Sequence, residues 1–153
     1  MAAPTTLRFG AGAFYIGDGA TPTEIFAKVC GFTEMELTID KETNDTTVPD
    51  CDDPDAAAWT ERDVVALAWS MTFSGVLAKE ALPLLEDATF SSAPTNVRLD
   101  LAGAGEGSGT PNKRYAGRAH INHSITGARG EKWQVSVTVT GDGELVRSDV
   151  AAT

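Results

Sequence analysis

The only concentration of potential metal ligands in the sequence is a run of aspartates, Asp50, Asp52, Asp53 and Asp55. Calcium binds about six to eight oxygen atoms, and carboxylates supply many of them. The run nevertheless lacks the central glycine and the closing bidentate glutamate of an EF-hand loop. We therefore interpret it as a solvated acidic turn, and a cation site is the weaker alternative.

Other residues that could do chemistry do not form a recognisable set. His120 and His123 are the only histidines, and residues three apart on a strand face opposite sides, which opposes a shared metal. The sequence contains no Gly-x-Ser-x-Gly elbow and no His-Glu-x-x-His pair, and the glycine-rich stretch 102–112 lacks the Gly-Lys-Ser/Thr ending of a phosphate-binding loop. We predict a protein that is not an enzyme and needs no cofactor.

The charge balance limits the partners of the chain. Twelve Lys and Arg against 22 Asp and Glu give a net charge of -10, so the surface repels nucleic acid and anionic lipid. The same sign suits a wall that DNA passes without adhering to it. No stretch approaches the roughly 20 apolar residues of a membrane span, and the amino terminus has no secretory signal pattern. We expect synthesis in the cytoplasm and no membrane partner.

Alternation of apolar and polar residues predicts most of the secondary structure. Alternating runs predict strands at 35–40, 64–76, 96–101, 114–122 and 132–140. Apolar residues at helical spacing from Ala78 to Leu85 predict one helix that ends near Thr89. The pattern favours a single mostly β (α+β) domain over 1–153, a β-sandwich or partly closed barrel of about seven strands with one flanking α-helix. We expect a flexible N-terminal arm at 1–13 and a C-terminal extension at 146–153.

The segment 42–62 interrupts this alternation. It carries two prolines and seven acidic residues, and its only large apolar side chains are Val48 and Trp59. Such a segment has no core of its own, so the sequence predicts a long inserted loop, and loops of this length in a compact domain are usually functional or disordered.

We predict that this loop contacts another subunit, with Trp59 buried there, whereas Trp69 and Trp133 belong to the core. The expected assembly residues are Val48, Asp50, Asp52, Asp53, Asp55, Trp59 and Arg62. The basic residues expected to face them across a subunit boundary are Lys113, Arg114, Arg118 and Arg129.

Strand and turn motifs in the last sixty residues resemble a known family. They are the strand 116–122, the turn Ser124-Ile125-Thr126-Gly127 with Gly130, and the strand 135–140 that ends in the corner Thr140-Gly141-Asp142-Gly143. Together with a glycine-rich amino arm, a Gly-Phe-Thr turn and a tryptophan-containing strand that ends at Ser74-Gly75, they resemble the major tail tube protein of long-tailed (siphovirus-type) bacteriophages. The resemblance spans Phe14 to Leu145. The chain is also similar in its expected architecture to type VI secretion tube proteins.

The resemblance implies a structural virion protein whose hexameric rings stack into a tube that conducts DNA out of the capsid. It implies three kinds of contact: with further copies of the chain, with the tape-measure and tail-terminator proteins, and with DNA only in transit. Alternatives are another tail component, such as a terminator or tail-tip protein, a secretion-tube subunit, or a monomeric β-sandwich ligand-binding module. The last should remain monomeric at concentrations at which a tube protein assembles.

Overall fold

The chain folds into one antiparallel sheet of eight strands with a single flanking helix. The computed structural model describes residues 3–20, 22–106, 109 and 111–151. The strands are β1 (Gly12–Gly17), β2 (Phe26–Val29), β3 (Phe32–Thr47), β4 (Thr60–Val76), β5 (Thr95–Leu101), β6 (Asn112–Thr126), β7 (Gln134–Gly141) and β8 (Val146–Val150), and the helix is α1 (Ala81–Phe90). The predicted mostly β fold with a flanking helix is confirmed.

The sheet curls so that distant strands share one core. The strand order is β2-β1-β5-β6-β7-β4-β3, and β8 pairs with β6 off this path. Although β1 and β4 are separated by three strands, the rings of Phe14 and Phe73 lie 4.3 Å apart, and Phe32 lies 5.1 Å from Phe73. Within the described residues no ladder joins the edge strands β2 and β3. The sheet therefore rolls up without closing into a barrel.

Alternation along the strands sorts side chains into this core. Val135, Val137 and Val139 of β7 are buried while the residues between them are exposed. The helix covers the core with Leu85, which is fully buried, and Thr89 Oγ1 lies 2.7 Å from His123 Nδ1 on β6. Among the described residues no helix is long and apolar enough to cross a membrane.

The prediction of a long loop over 42–62 is wrong at both ends. β3 continues to Thr47 and β4 begins at Thr60, so only the residues between them form a connection. Threonines favour strands, and the two segments pair residue by residue from Thr43 with Val64 to Thr47 with Thr60. The apolar alternation stops in this part because both faces of the hairpin are exposed, so no face needs to be apolar.

The two predicted terminal segments are also shorter than expected. Val146–Val150 form β8, which pairs with the first part of β6, so the extension predicted at 146–153 is mostly a strand. In the predicted arm 1–13, residues 9–11 form one 3₁₀ turn and Gly12 begins β1. Residues 1–2 and 152–153 lie outside the described residues.

Candidate assembly surface

A long β-hairpin projects from the rolled sheet. The ladder between β4 and β7 ends at the pair Ser70 with Thr140, so the ten residues Thr60–Trp69 pair only with β3. At about 3.3 Å per residue they extend roughly 30 Å beyond the point where β7 leaves. A compact chain of this size has a radius of gyration of about 15 Å. The hairpin therefore reaches well beyond the body of its own chain.

A β-bulge decides which side chains share a face of the hairpin. Glu42 pairs with Ala66, but the next residue, Thr43, pairs with Val64, so Val65 is an extra residue on β4. Paired residues point to the same side of a sheet, and an extra residue shifts the alternation on its own strand by one. Val64 consequently lies on the same side as Leu67 instead of the opposite one.

One side of the projecting hairpin, the apolar face, continues the core side of the sheet. By register it carries Ile39, Trp69, Leu67 and Val64, followed toward the tip by the cross-strand pair of Asp45 and Arg62. Asp45 and Arg62 form an exposed ion pair of 3.1 Å, and such pairs contribute little to stability. Leu67 is 67% exposed, and Ile39 and Val64 are more than half exposed. From Leu67 to the tip, nothing within the described part of the chain covers this side.

The opposite side, the acidic face, carries negative charge alone. Asp40 and Glu42 of β3 and Glu61 and Asp63 of β4 share it by register, together with alanines and an asparagine. Without the bulge, Glu61 and Asp63 would share a side with Leu67. The register therefore keeps these four carboxylates away from the apolar face.

An apolar groove lies at the root of the hairpin. Beyond Ser70, β4 diverges from the β7–β8 segment, and the space between them measures about 210 Å³. Its lining includes Ile39, Leu67, Trp69, Tyr115, Leu145 and Arg147. The indole of Trp69 forms the floor, because it is buried against Gly117 and Gly141 and donates a hydrogen bond of 3.1 Å from Nε1 to the Gly143 carbonyl.

The tip of the hairpin contains most of the residues predicted for assembly. Trp59 is 93% exposed, and Val48 is also exposed; the two residues follow the last pair of the ladder, Thr60 with Thr47. The Asp50 carboxylate accepts a hydrogen bond of 2.9 Å from the Asp52 amide. Among the described residues no three His, Cys, Asp or Glu side chains are grouped to hold a metal.

The four predicted basic residues do not form one patch. Arg114 makes two hydrogen bonds of 2.9 and 3.1 Å to the Asp100 carboxylate, which raises the pKa of its guanidinium. Lys113 lies 3.4 Å from Asp149. Arg118 is in the middle of β6, and Arg129 is in the turn after it, at the opposite end from Lys113. Two of the four cations therefore serve pairs within the chain.

The two tryptophans predicted for the core differ. Trp69 is buried, as predicted, but Trp133 is 59% exposed and lies against Gly127 ahead of β7. Trp133 precedes the strand, so the alternation of β7 does not turn it inward. The sequence analysis missed the apolar groove, since its two sides are separated by about eighty residues. The glycines at 117, 141 and 143 were the available signal, because glycine marks close approach of another group.

Comparison with known proteins identifies the class. The family of phage tail tube proteins matches residues 13–147, most of the chain. The chain therefore belongs to the phage tail tube protein family and is a structural protein of the virion tail, with no enzymatic role. No curated protein matches the sequence.

Solved structures show the same fold at low identity. The tail of an empty gene transfer agent particle, refined with C6 symmetry, has a TM-score of 0.67 at 13% identity, covering 94% of this chain and 99% of that one. The SPP1 tail tube has a TM-score of 0.65 at 11% identity, covering 97% and 82%. The tube-terminating cap of the anti-feeding prophage has a TM-score of 0.60 at 13% identity, covering 98% and 95%.

Proposed function

We propose that this chain is the repeating subunit of a phage tail tube, in which six copies form a ring and rings stack head to tail. The tube conducts DNA from the capsid to the host, and the subunit is made in the host cytoplasm before it joins the virion. The proposal is supported by family membership and by the C6 symmetry of the gene transfer agent tail that shares the fold. Tape-measure and tail-terminator proteins are the further partners.

The observation that carries the assembly part of the proposal is the projecting hairpin. It extends roughly 30 Å with an apolar face that its own chain leaves open. Exposed apolar surface of this kind marks an interaction site in a soluble protein. A contact that uses different surfaces on the two partners either closes into a ring or continues as a filament, and stacked rings contain both kinds. The hairpin is thus the assembly arm, and it takes the place of the long loop expected from the sequence.

Two variants test the arm through its bulge. Inserting one threonine between Glu42 and Thr43 gives Val65 a partner and reverses every side chain nearer the tip, so that Glu61 and Asp63 join the apolar face. Deleting Val65 removes the bulge but leaves all other pairs and faces unchanged, so it serves as the matched control. Both changes lie in exposed strand and should preserve the folded body.

We expect the wild type and the deletion variant to form tubes in negative-stain electron micrographs at high protein concentration. The insertion variant should remain monomeric by size exclusion while its circular dichroism spectrum and melting temperature match those of the wild type. Tubes of normal length and stability from the insertion variant would contradict the assembly role of the hairpin. A wild type that forms no ring or filament would contradict the tube function itself.

The acidic face fits the passage of DNA. Its carboxylates repel phosphates, and the net charge of -10 gives the whole subunit the same sign. We propose that the face bearing Asp40, Glu42, Glu61 and Asp63 contributes to the wall of the tube lumen, which DNA then passes without binding. A reconstruction of assembled tubes with a positively charged lumen would contradict this assignment.

A second candidate is a protein that terminates the tube. The shared fold with the cap of the anti-feeding prophage tube favours it over a tail-tip protein or a monomeric binding module. Such a protein should form single rings that do not elongate, whereas a tube subunit should form filaments of many rings. The same micrographs distinguish the two functions.

A further inference from the structure

The hairpin tip and the groove at the hairpin root are complementary in chemistry but too far apart to meet within one chain. Trp59 precedes β4 and Trp69 forms the groove floor, and the ten residue steps from one to the other along an extended strand span roughly 30 Å. A ring that is 93% exposed at the end of such an arm has lost nearly all contact with its own chain. Its partner must therefore come from another molecule.

We propose that Trp59 of one copy inserts into the groove of a second copy, between Leu67 on one side and Leu145 on the other. The proposal rests on the tube function and names the contact that the assembly arm makes. A cavity of about 150 Å³ lined by apolar side chains can bind benzene. The groove measures about 210 Å³, which leaves room for the larger indole.

Charge complementarity selects the tip as the occupant. The connection 48–59 carries four aspartates and no basic residue. At the groove, Arg147 is part of the lining and Lys41 is the cross-strand partner of Leu67, against the single carboxylate of Glu144. An acidic tip therefore approaches a groove with an excess of positive charge. A different exposed apolar segment, residues 7–9 near the amino terminus, carries Arg8 and no acidic residue.

The arrangement is of the kind that tight interfaces use. Tryptophan is one of the residue types enriched among the strongest energetic anchors of protein interfaces, where surrounding contacts exclude water. Here the aspartates and the basic residues at the groove form the rim, and the indole fills the centre. Because tip and groove are different surfaces of the same chain, each copy offers one of each, and the contact propagates from copy to copy.

Disulfide trapping between two differently tagged proteins tests the contact directly. Both carry Cys30→Ser and Cys51→Ser, since both native cysteines are free and exposed. One protein bears Ala58→Cys beside the anchor and the other Glu144→Cys at the groove, so Trp59 and the apolar lining remain. Ser124→Cys, which is exposed at the far end of β6, is the control partner.

We expect mixed assembly and oxidation to yield the 58–144 heterodimer and not the 58–124 one. Trp59→Ala should raise the protein concentration needed for assembly by at least about 30-fold, as loss of a strong anchor does, while the exposed Trp133→Ala should leave it unchanged. Thr6→Cys, placed beside the exposed apolar segment 7–9, tests the amino-terminal segment as the occupant instead. Tubes that form without the 58–144 disulfide, or in which Thr6→Cys traps Glu144→Cys, would overturn the groove contact but preserve the tube function. Absence of tubes from the wild type would overturn the tube function.

Discussion

Substituting Gly141 by alanine should destabilise the monomer through one identifiable contact. The Trp69 indole lies flat on the β7 backbone at this position, and an added Cβ would be 2.6 Å from Cδ2 and 2.5 Å from Nε1 of the ring. Gly117, on the neighbouring strand, lies close to the other edge of the ring, because a Cβ built there would be 2.7 Å from Trp69 Cζ2. The ring therefore has no room to shift toward β6. The indole can only tilt out of its site.

Two costs add up when the ring tilts. Overpacking a well-packed site costs about 1–3 kcal/mol, and the hydrogen bond from Trp69 Nε1 to the Gly143 carbonyl is lost, which costs about 1 kcal/mol. We therefore expect a loss of roughly 3 kcal/mol in the free energy of unfolding. For a domain of this size each kcal/mol lowers the melting temperature by about 2–4 °C, so the expected decrease is roughly 6–12 °C.

Thermal and urea unfolding of the monomer, followed by tryptophan fluorescence and circular dichroism, measure this effect. Gly10→Ala is the matched control, because an added Cβ there meets nothing within 4 Å, and it should change stability by less than about 0.5 kcal/mol. In a Trp69→Leu background the alanine at 141 should cost much less, which isolates the coupling between the two sites. Equal costs in both backgrounds, or a melting temperature unchanged within error, would refute the packing argument.

Two further changes test charges within the sheet. Asp100→Asn should lower the free energy of unfolding by about 1–2 kcal/mol at neutral pH, because it removes the negative charge of the carboxylate that accepts two hydrogen bonds from Arg114. An unchanged free energy of unfolding in urea would argue against a stabilising pair. Asp18 has a lowered pKa because the amides of Ala20 and Ile25 donate to its carboxylate. A lowered pKa stabilises the fold above the unfolded-state value and the contribution disappears as pH falls. Asp18→Asn should therefore be less stable than the wild type near pH 7, with a difference that begins to shrink as the pH falls to about 4 and disappears only below the lowered pKa of the folded state. A difference that stays constant as the pH falls through this range would contradict the assignment.

The sequence predicts the parts of the fold where one face is buried. Alternation identified β7 and the sheet end of β4 because their side chains enter the core, and helical spacing identified α1. Alternation did not identify the ends of β3 and β4 nearest the tip, residues 43–47 and 60–63, because neither face of this part carries a run of apolar side chains. The backbone ladder, which is invisible in the side-chain pattern, forms these strands.

The candidate site was predictable only in part. Trp59 stood out as a large apolar residue in an acidic segment, and the structure places it at the hairpin tip, where its burial against a neighbour remains a prediction. The separation of charge between the two faces depends on the extra residue Val65, and a bulge leaves no mark in a single sequence. Lys113 and Arg114 form ion pairs with Asp149 and Asp100 on neighbouring strands, and the sequence alone does not specify which strands are neighbours.

The length of the β3–β4 ladder has a mechanical consequence. The paired strands run without interruption from the tip, at Thr47 and Thr60, into the core at Phe32 and Gly75, apart from two register shifts. A pull on the tip along the strands is carried by both backbones in parallel toward the core, where the β4–β7 ladder from Ser70 to Val76 takes the load in shear. A neighbour that holds the tip is thereby tied to the packed aromatic rings of Phe32 and Phe73, so tension passes from subunit to subunit through core rather than through flexible chain.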